Sequence, residues 1–486
     1  MLPTKEYKMK YSILTAILIT STSSLMAQES IQIGNVSQDH TFENSVGEKG
    51  INLGHDWLVN VDLRTGWLQY DYGNQPIGNT NSGDPTISKG HTDSKGFYII
   101  PKVSLTTPSF GGFAAKVTGM YSTDLGFNDP RYETRTFVPN PSDPKAFGIL
   151  QEAYIRFEHK ENKVLVGRQE LTTPMIDADD WYMQSNSFEV AHYTNTMLED
   201  NMFALGFFHK MAGVWDSGAY DSTIAPKGGT DFYSMGQASF VSQADKNNTD
   251  PDAGVLFGAY EYHHKQHNVQ VWEYYATDLY NMLFLQYDFK GGGDSFKYVV
   301  GAQFINWKEV GAYAKTSDKA GEGARIDYSL YSARFDGHFD FGLNFATGVA
   351  KYTDGAGQGD TLGAWGGYPY FANGMIFHFF EAGSLQNAAS YKAQIGYDIL
   401  DNLWIGYRYT FFDLDPSYSF AKMIDPTDST KTTNDPNKPQ NSMQLNGIRI
   451  SYGGKKGTYF TGTYESVSLD HEPNTYSLRL IGGIKF

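Results

Sequence analysis

The most regular feature of the chain is an alternation of apolar and polar residues with period two. In the last segment Tyr476, Leu478, Leu480, Gly482, Ile484 and Phe486 share one face, while Ser477, Arg479, Ile481, Gly483 and Lys485 share the other. Successive side chains of an extended strand point to opposite sides, so this pattern predicts a β-strand with one apolar face. A second run opposes Phe339, Phe341, Leu343, Phe345, Thr347 and Val349 to Asp340, Gly342, Asn344, Ala346, Gly348 and Ala350. Read throughout, the pattern predicts eighteen strands, near 57–70, 95–105, 112–125, 147–159, 163–170, 188–198, 201–212, 253–263, 268–277, 279–289, 295–306, 326–336, 339–350, 389–399, 403–412, 442–452, 458–468 and 474–486. A soluble sandwich would bury the apolar faces and wet the polar ones, whereas a membrane barrel would do the reverse. Periodicity alone does not choose between them.

The connections do choose. Short links at Thr106–Gly111, Lys160–Asn162, Glu199–Asp200, His264–His267, Lys290–Asp294, Gly337–His338, Leu400–Asn402 and Gly453–Gly457 alternate with long ones at 71–94, 126–146, 171–187, 213–252, 307–325, 351–388 and 413–441. Two links, 278 and 469–473, are brief where a long one is due. Tight turns at one rim and long loops at the other belong to an outer-membrane barrel, with the turns periplasmic and the loops extracellular. No repeat of fixed length marks a propeller. The expected fold is therefore all-β, a transmembrane antiparallel barrel of about eighteen strands. Tyr70, Tyr72, Tyr121, Tyr287, Phe289, Tyr409, Phe411 and Tyr476 fall near strand ends, where interfacial aromatic rings belong.

Composition supports this reading. The 486 residues contain 34 Tyr, 32 Phe, 8 Trp and 51 Gly, too aromatic for a disordered chain and too rich in Gly and Tyr for a helical one. Beyond residue 27 no apolar run reaches helical spanning length, which excludes a helical membrane protein. The absence of Cys removes disulfides, thiolate metal sites, Cys nucleophiles and a lipoprotein anchor. With 38 basic and 54 acidic residues the net charge is -16, which argues against a nucleic-acid partner.

The first residues read as an export signal. Lys5, Lys8 and Lys10 form a basic start, Ile13 to Ile19 a short apolar stretch, and Ala27 the cleavage position. Met9 is a second candidate start. The expected organisation is a signal peptide over 1–27, a periplasmic N-terminal segment over 28–56, and the barrel over 57–486.

Opposite the apolar faces lie Arg64, Lys102, Lys116, Arg156, Lys297, Lys392, Arg408 and Arg479. A charge facing lipid at mid-bilayer costs about 2–4 kcal/mol, so these residues are expected to face a wet lumen. Basic groups spaced down such a wall can pass an anion along through successive weak contacts. Solvation of the lumen and pairing with Asp62, Glu152, Glu158 and Asp398 is the alternative role for the same residues. Asp177, Asp179 and Asp180 cluster in the 171–187 link, but no spacing of further oxygen ligands completes a Ca²⁺ site. They are expected, with Tyr182, to line a constriction. His263, His264 and His267 lack a third spaced ligand and read as turn residues. No nucleophile elbow, zinc-protease helix or phosphate loop occurs. No cofactor is expected.

The segment Gly167-Arg168-Gln169-Glu170-Leu171, followed by Thr173-Pro174, Asp177, Asp180, Met183, Asn186 and Phe188-Glu189, resembles the signature of the OprD-like outer-membrane porin family. There a strand ending in GRQ-x-L precedes a TP turn, an Asn/Asp-rich loop and a return strand beginning near FE. The resemblance implies an eighteen-stranded porin, monomeric or weakly trimeric, with an inward-folded loop and a basic wall. It implies passive diffusion of small, commonly carboxylate-bearing nutrients. This chain departs from the pattern at Tyr182, where the family usually carries Arg, and at Ser185, where it usually carries Pro. The implied partners are outer-membrane lipid and lipopolysaccharide, small hydrophilic solutes, and the barrel assembly machinery acting on the C-terminal strand. Two other classes fit a β-rich exported chain: a barrel lipid hydrolase with Ser and His at its rim, and a secreted binding protein.

Overall fold

A computed structural model describes residues 51–52, 57–71, 94–128, 146–178, 183, 185–212, 232–238, 253–320, 326–355, 365–376, 385–424, 432–453, 457–472 and 474–486. The strands that form the wall are β1 Leu58–Asp71, β2 Ser94–Thr106, β3 Phe113–Thr123, β4 Ala146–His159, β5 Asn162–Gln169 and β6 Ser187–Asn195. They continue as β7 Asn201–Ala212, β8 Val255–His264, β9 His267–Ala276, β10 Tyr280–Gly292, β11 Phe296–Glu309 and β12 Asp327–Phe339. The last are β13 Leu343–Tyr352, β14 Ala389–Leu400, β15 Leu403–Asp413, β16 Ser442–Gly453, β17 Thr458–Leu469 and β18 Thr475–Lys485. Each strand pairs antiparallel with its neighbours in sequence, and β1 closes on β18 from Asp62↔Lys485 to Asp71↔Tyr476. The ring leaves no open edge, as closure demands of a sheet crossing lipid.

Alternation decides what each side shows. On β18 Ser477 and Arg479 are buried within the ring, while Leu480 is 37% exposed on the outside. Val103, Val117, Ile155, Val166, Leu205, Ile395 and Ile448 are likewise exposed, while Thr118, Gln151, Gln270 and Thr410 are completely buried. An apolar outer band around a polar interior is the inverse of a soluble sandwich. Among the described residues no helix is long and apolar enough to cross a membrane.

Short connections gather at one rim and long ones at the other, with 277–279 and 470–474 the two brief links at the long-loop rim. The strand boundaries differ from the sequence expectation by a few residues, with one clear correction. The turn expected at Gly337–His338 falls at 340–342, because β12 continues in register against β11 as far as Phe339↔Phe296. The Phe296 and Phe339 rings, 4.8 Å apart, hold that extra pair of residues. The pairing of Ile51–Asn52 with Leu58 and Val59 adds a short strand at the base of β1. The signal segment 1–27 lies outside the described residues.

Two bulges alter what faces inward. Between Thr118 and Gly119 the β3–β4 register skips Gln151, so Gln151 and Glu152 both point into the ring. Between Glu189 and Val190 the β6–β7 register skips His209, which stands exposed outside. Toward the long-loop rim the interior is aromatic, with Trp272, Tyr274, Trp307, Tyr328 and Tyr352 all buried. Trp307 and Tyr328 stack at 4.4 Å. Helix α1, Gly311–Ala320, lies in the connection after β11, and Phe420–Ile424 pairs with Thr432–Pro439 in the one after β15.

Candidate functional site: a lumen crossed by two loops

The segment 167–189 builds the root of the first inward loop. Gly167 has φ 130°, and a Cβ there would lie 2.3 Å from the Ala153 carbonyl oxygen, so only glycine fits against β4. Arg168 pairs with Glu189 across β5 and β6, Nε to Oε1 at 3.1 Å, on the outer side. Gln169 points inward and meets His192 Nε2 at 3.0 Å. These three residues lock the two strands from which the loop springs.

The loop itself turns into the ring. Leu171, Met175, Ile176 and Met183 are buried. The Thr173 hydroxyl donates to the Ile176 carbonyl at 2.9 Å, closing a tight turn around Pro174. Asp177 is 3% exposed and accepts a hydrogen bond from the Thr172 hydroxyl at 2.7 Å. Its backbone carbonyl accepts from Asn186 Nδ2 at 2.9 Å. Asp177 thus folds its own loop. Asp179, Asp180 and Tyr182, named with it from the sequence, lie outside the described residues. The wall holds the loop's far end: Gln151, freed by its bulge, donates to Ser185 O at 2.7 Å, and Arg64 donates to Met183 O at 3.1 Å.

A second loop, 365–376, enters from between β13 and β14, and sequence reading missed it. Its density of Trp365, Tyr368, Tyr370, Phe371, Met375 and Ile376 was the available signal, since that much apolar surface must be covered. All six are buried. Asp177 N donates to Trp365 O at 3.0 Å, which joins the two loops. Contact there is tight: a Cβ on Gly367 would lie 2.5 Å from Pro174 O. Beyond Gly367 the loop runs along the wall. Gln303 donates to Pro369 O at 2.8 Å, Phe371 N to the Ser332 hydroxyl at 3.2 Å, and Thr410 Oγ1 to Asn373 O at 3.0 Å. The two loops form one partition across the lumen.

All eight basic residues singled out from the sequence sit on inward positions of their strands, in four different situations. Lys102 pairs with Glu170, Lys116 with Glu152 at 2.8 Å, and Arg156 with Glu158 at 3.6 Å. These sit on β2 to β4, and carboxylates balance them. Arg64, Arg408 and Arg479 are buried on β1, β15 and β18. Arg408 donates to Gln394 Oε1 at 2.8 Å and to Gly374 O at 2.8 Å, so the second loop takes up its guanidinium. Lys297 is exposed at the short-turn end of β11, away from the partition. Lys392, half-buried on β14, lies in the field of Asp336, which attracts it, and of Arg408 and Arg334, which repel it.

Two inward arginines were missed, although the same alternation marks them. Arg334 stands next to outward Phe335, and Arg449 stands between outward Ile448 and Ile450. Arg334 holds Asp288 Oδ1 at 2.7 Å and lies 4.6 Å from the Phe371 ring centre. Arg449 donates to Met375 O at 3.2 Å. Arg334, Lys392, Arg408, Arg449, Arg479 and Arg64 thus line one side of the ring, from β12 through β18 to β1. The opposite side carries Glu261, Gln270, Gln286 and Gln303 in direct cross-strand register on β8 to β11. Among the described residues no group of three or more His, Asp or Glu is placed to hold a metal ion. His263, His264 and His267 contact Glu261, Asp200 and Tyr287 instead.

Comparison with protein-family models gives no match, and comparison with curated proteins gives none. Solved structures do match. OccK9 (OpdG) of Pseudomonas aeruginosa superimposes with a TM-score of 0.65 over 90% of this chain and 100% of its own, at 11% identity. The outer membrane protein OpdK of the same organism, also solved with vanillate, gives 0.64 over 89% and 98% at 12%. A BenF-like porin from Pseudomonas fluorescens Pf-5 gives 0.63 over the same shares at 16% identity. The chain has the fold of these porins. At such identities the likeness is one of fold, and it extends over the whole length of those proteins. A porin fold with its lumen narrowed by two loops and lined on one side by cations is the setting for any solute that crosses it.

Proposed function

We propose that this protein is an outer-membrane porin that lets small anionic solutes, carboxylates among them, diffuse along the basic side of its lumen. Lys392 carries the reading. It is a basic side chain on the inner wall between Arg334 and Arg408, met through space by the Asp336 carboxylate, while those guanidiniums are hydrogen-bonded to the protein. An ammonium in that position is available to a passing anion and holds it weakly enough to release it. The solved relative that contains vanillate, a carboxylate, supports the same solute class. The fold's known members support a channel rather than an enzyme. The expected address is the bacterial outer membrane, with short turns on the periplasmic side and long loops outside.

The test is a planar-bilayer recording in a salt gradient. Stepwise conductance with a reversal potential on the anion side is expected, and Lys392→Met should move that potential toward the cation side with little change in step size. Absence of steps, or a potential indifferent to Lys392→Met, would count against the proposal.

A further inference from the structure

The stretch Phe371–Ile376 is held down at its end by one carboxylate. Glu465, on β17 and completely buried, accepts the backbone N–H of Met375 at 2.6 Å and that of Ile376 at 2.6 Å, one on each oxygen. Two successive amides aimed at one carboxylate make a small anion nest. The carbonyls of the same stretch go to guanidiniums: Gly374 O to Arg408 at 2.8 Å and Met375 O to Arg449 at 3.2 Å. An acid thus holds the N–H groups while cations hold the C=O groups, and every holder belongs to the wall. A peptide carbonyl is the weaker ligand for a guanidinium, because a carboxylate adds a full negative charge to the same contact and can take both arms of the fork. An arriving carboxylate therefore competes with the strap carbonyls for Arg408 and Arg449, of which Arg408 already lies in the field of Glu465 and Asp336. It has no such advantage over Glu465, whose two strap amides it reaches only after the strap has moved.

We propose that Phe371–Ile376 is a gate, latched by Glu465 and loosened when an anionic solute takes Arg408 and Arg449 from the strap's carbonyls. The loosening half rests on the channel reading above, whereas the latch concerns the loop and the wall alone. Glu465 acts as a positioning residue and touches no solute.

The chain contains no cysteine, so Met375→Cys supplies a single thiol, buried where Met375 is 6% exposed. Its labelling by a small maleimide, in the full chain reconstituted in vesicles, reports lifting of the strap without reference to conductance. In Glu465→Gln one backbone N–H faces an amide NH₂ instead of an oxygen. Labelling at position 375 should then quicken about tenfold, the factor for losing one charged hydrogen bond. Acetate at constant ionic strength, compared with chloride, should quicken it with Glu465 in place. The control is Ile481→Cys on the β18 wall, 3% exposed, which should label at one rate in both backgrounds. Equal rates at position 375, or parallel acceleration at position 481, overturn the latch. Acceleration by Glu465→Gln without any acetate effect keeps the latch and overturns the loosening by solute. A chain that shows the Gln effect but conducts nothing loses the channel reading and the loosening with it, while a conducting chain with equal labelling loses the latch alone.

Discussion

Lys392 and Arg408 are near neighbours on β14 and β15, yet they divide two tasks that a single basic wall would merge. Arg408 spends its guanidinium on Gln394 and on the carbonyl of Gly374. Lys392 meets Asp336, Arg408 and Arg334 through space instead. Arg408→Lys keeps the charge and gives up the planar fork. Its lost charged hydrogen bonds, about 1.5–3 kcal/mol each, should loosen the strap while leaving the field in the lumen nearly unchanged. Single-channel records of Arg408→Lys should therefore show larger or noisier steps with an unaltered reversal potential, the converse of Lys392→Met. Two variants that shift the same quantity would mean that position and charge do not separate here. Arg156 stands differently again, because Glu158 lies 3.6 Å from it. Arg156→Ala should change selectivity less than Lys392→Met does.

At the scale of elements, the joint between the two loops depends on Trp365. Its indole N–H donates to Met235 O at 3.0 Å, its ring stacks on Tyr280 at 5.4 Å, and its carbonyl takes Asp177 N. Trp365→Ala should cost about 3–5 kcal/mol of local stability, as for a buried aromatic, and should part the loops. A clear rise in conductance, with the barrel's gel mobility before and after boiling unchanged, is the expected result. The strands were legible in the sequence because one chemical rule, alternate wetting, governs the wall from Leu58 to Lys485 outside the two bulges. The first loop was legible through its GRQ and FE flanks, which the structure explains as a strand clamp rather than as solute contacts. The second loop was not. Its residues obey no period, and what holds them is a set of wall groups remote in sequence: Ser332, Thr410, Arg449 and Glu465. Arg334 and Arg449 were within reach of the alternation, while their duties toward Asp288 and the strap depended on which loop carbonyls and carboxylates came to meet them.

For the whole molecule, a net charge of -16 predicts attraction of cations, whereas the lumen carries a row of cations along one side. Distance decides which matters to a solute inside. The screening length is about 10 Å at 0.1 M salt and about 3 Å at 1 M, so charges on outer loops are felt less than the wall. Anion preference should thus persist at moderate salt and weaken toward 1 M, measured as the shift of reversal potential with bath concentration. Closure has its own weak point. Phe486 N donates to Val61 O at 2.9 Å, and Val61 N to Phe486 O at 3.3 Å, where the last residue seals the ring against the first strand. Removing Phe486 deletes both bonds, and the fraction of chain reaching the compact, heat-modifiable form should fall.

The partition also sets a late step in folding. Its first half hangs from Arg64 on β1 and Gln151 on β4, and its second half from Thr410, Arg449 and Glu465 on β15, β16 and β17. The two halves meet where Asp177 N donates to Trp365 O, a bond between segments farther apart in sequence than any of those holders is from its own loop. Such contacts are slow to form, because the entropy of closing the intervening chain must be met before the contact rewards it. In refolding, protection of the Asp177 amide from hydrogen exchange should therefore lag behind that of hairpin neighbours such as β9 and β10.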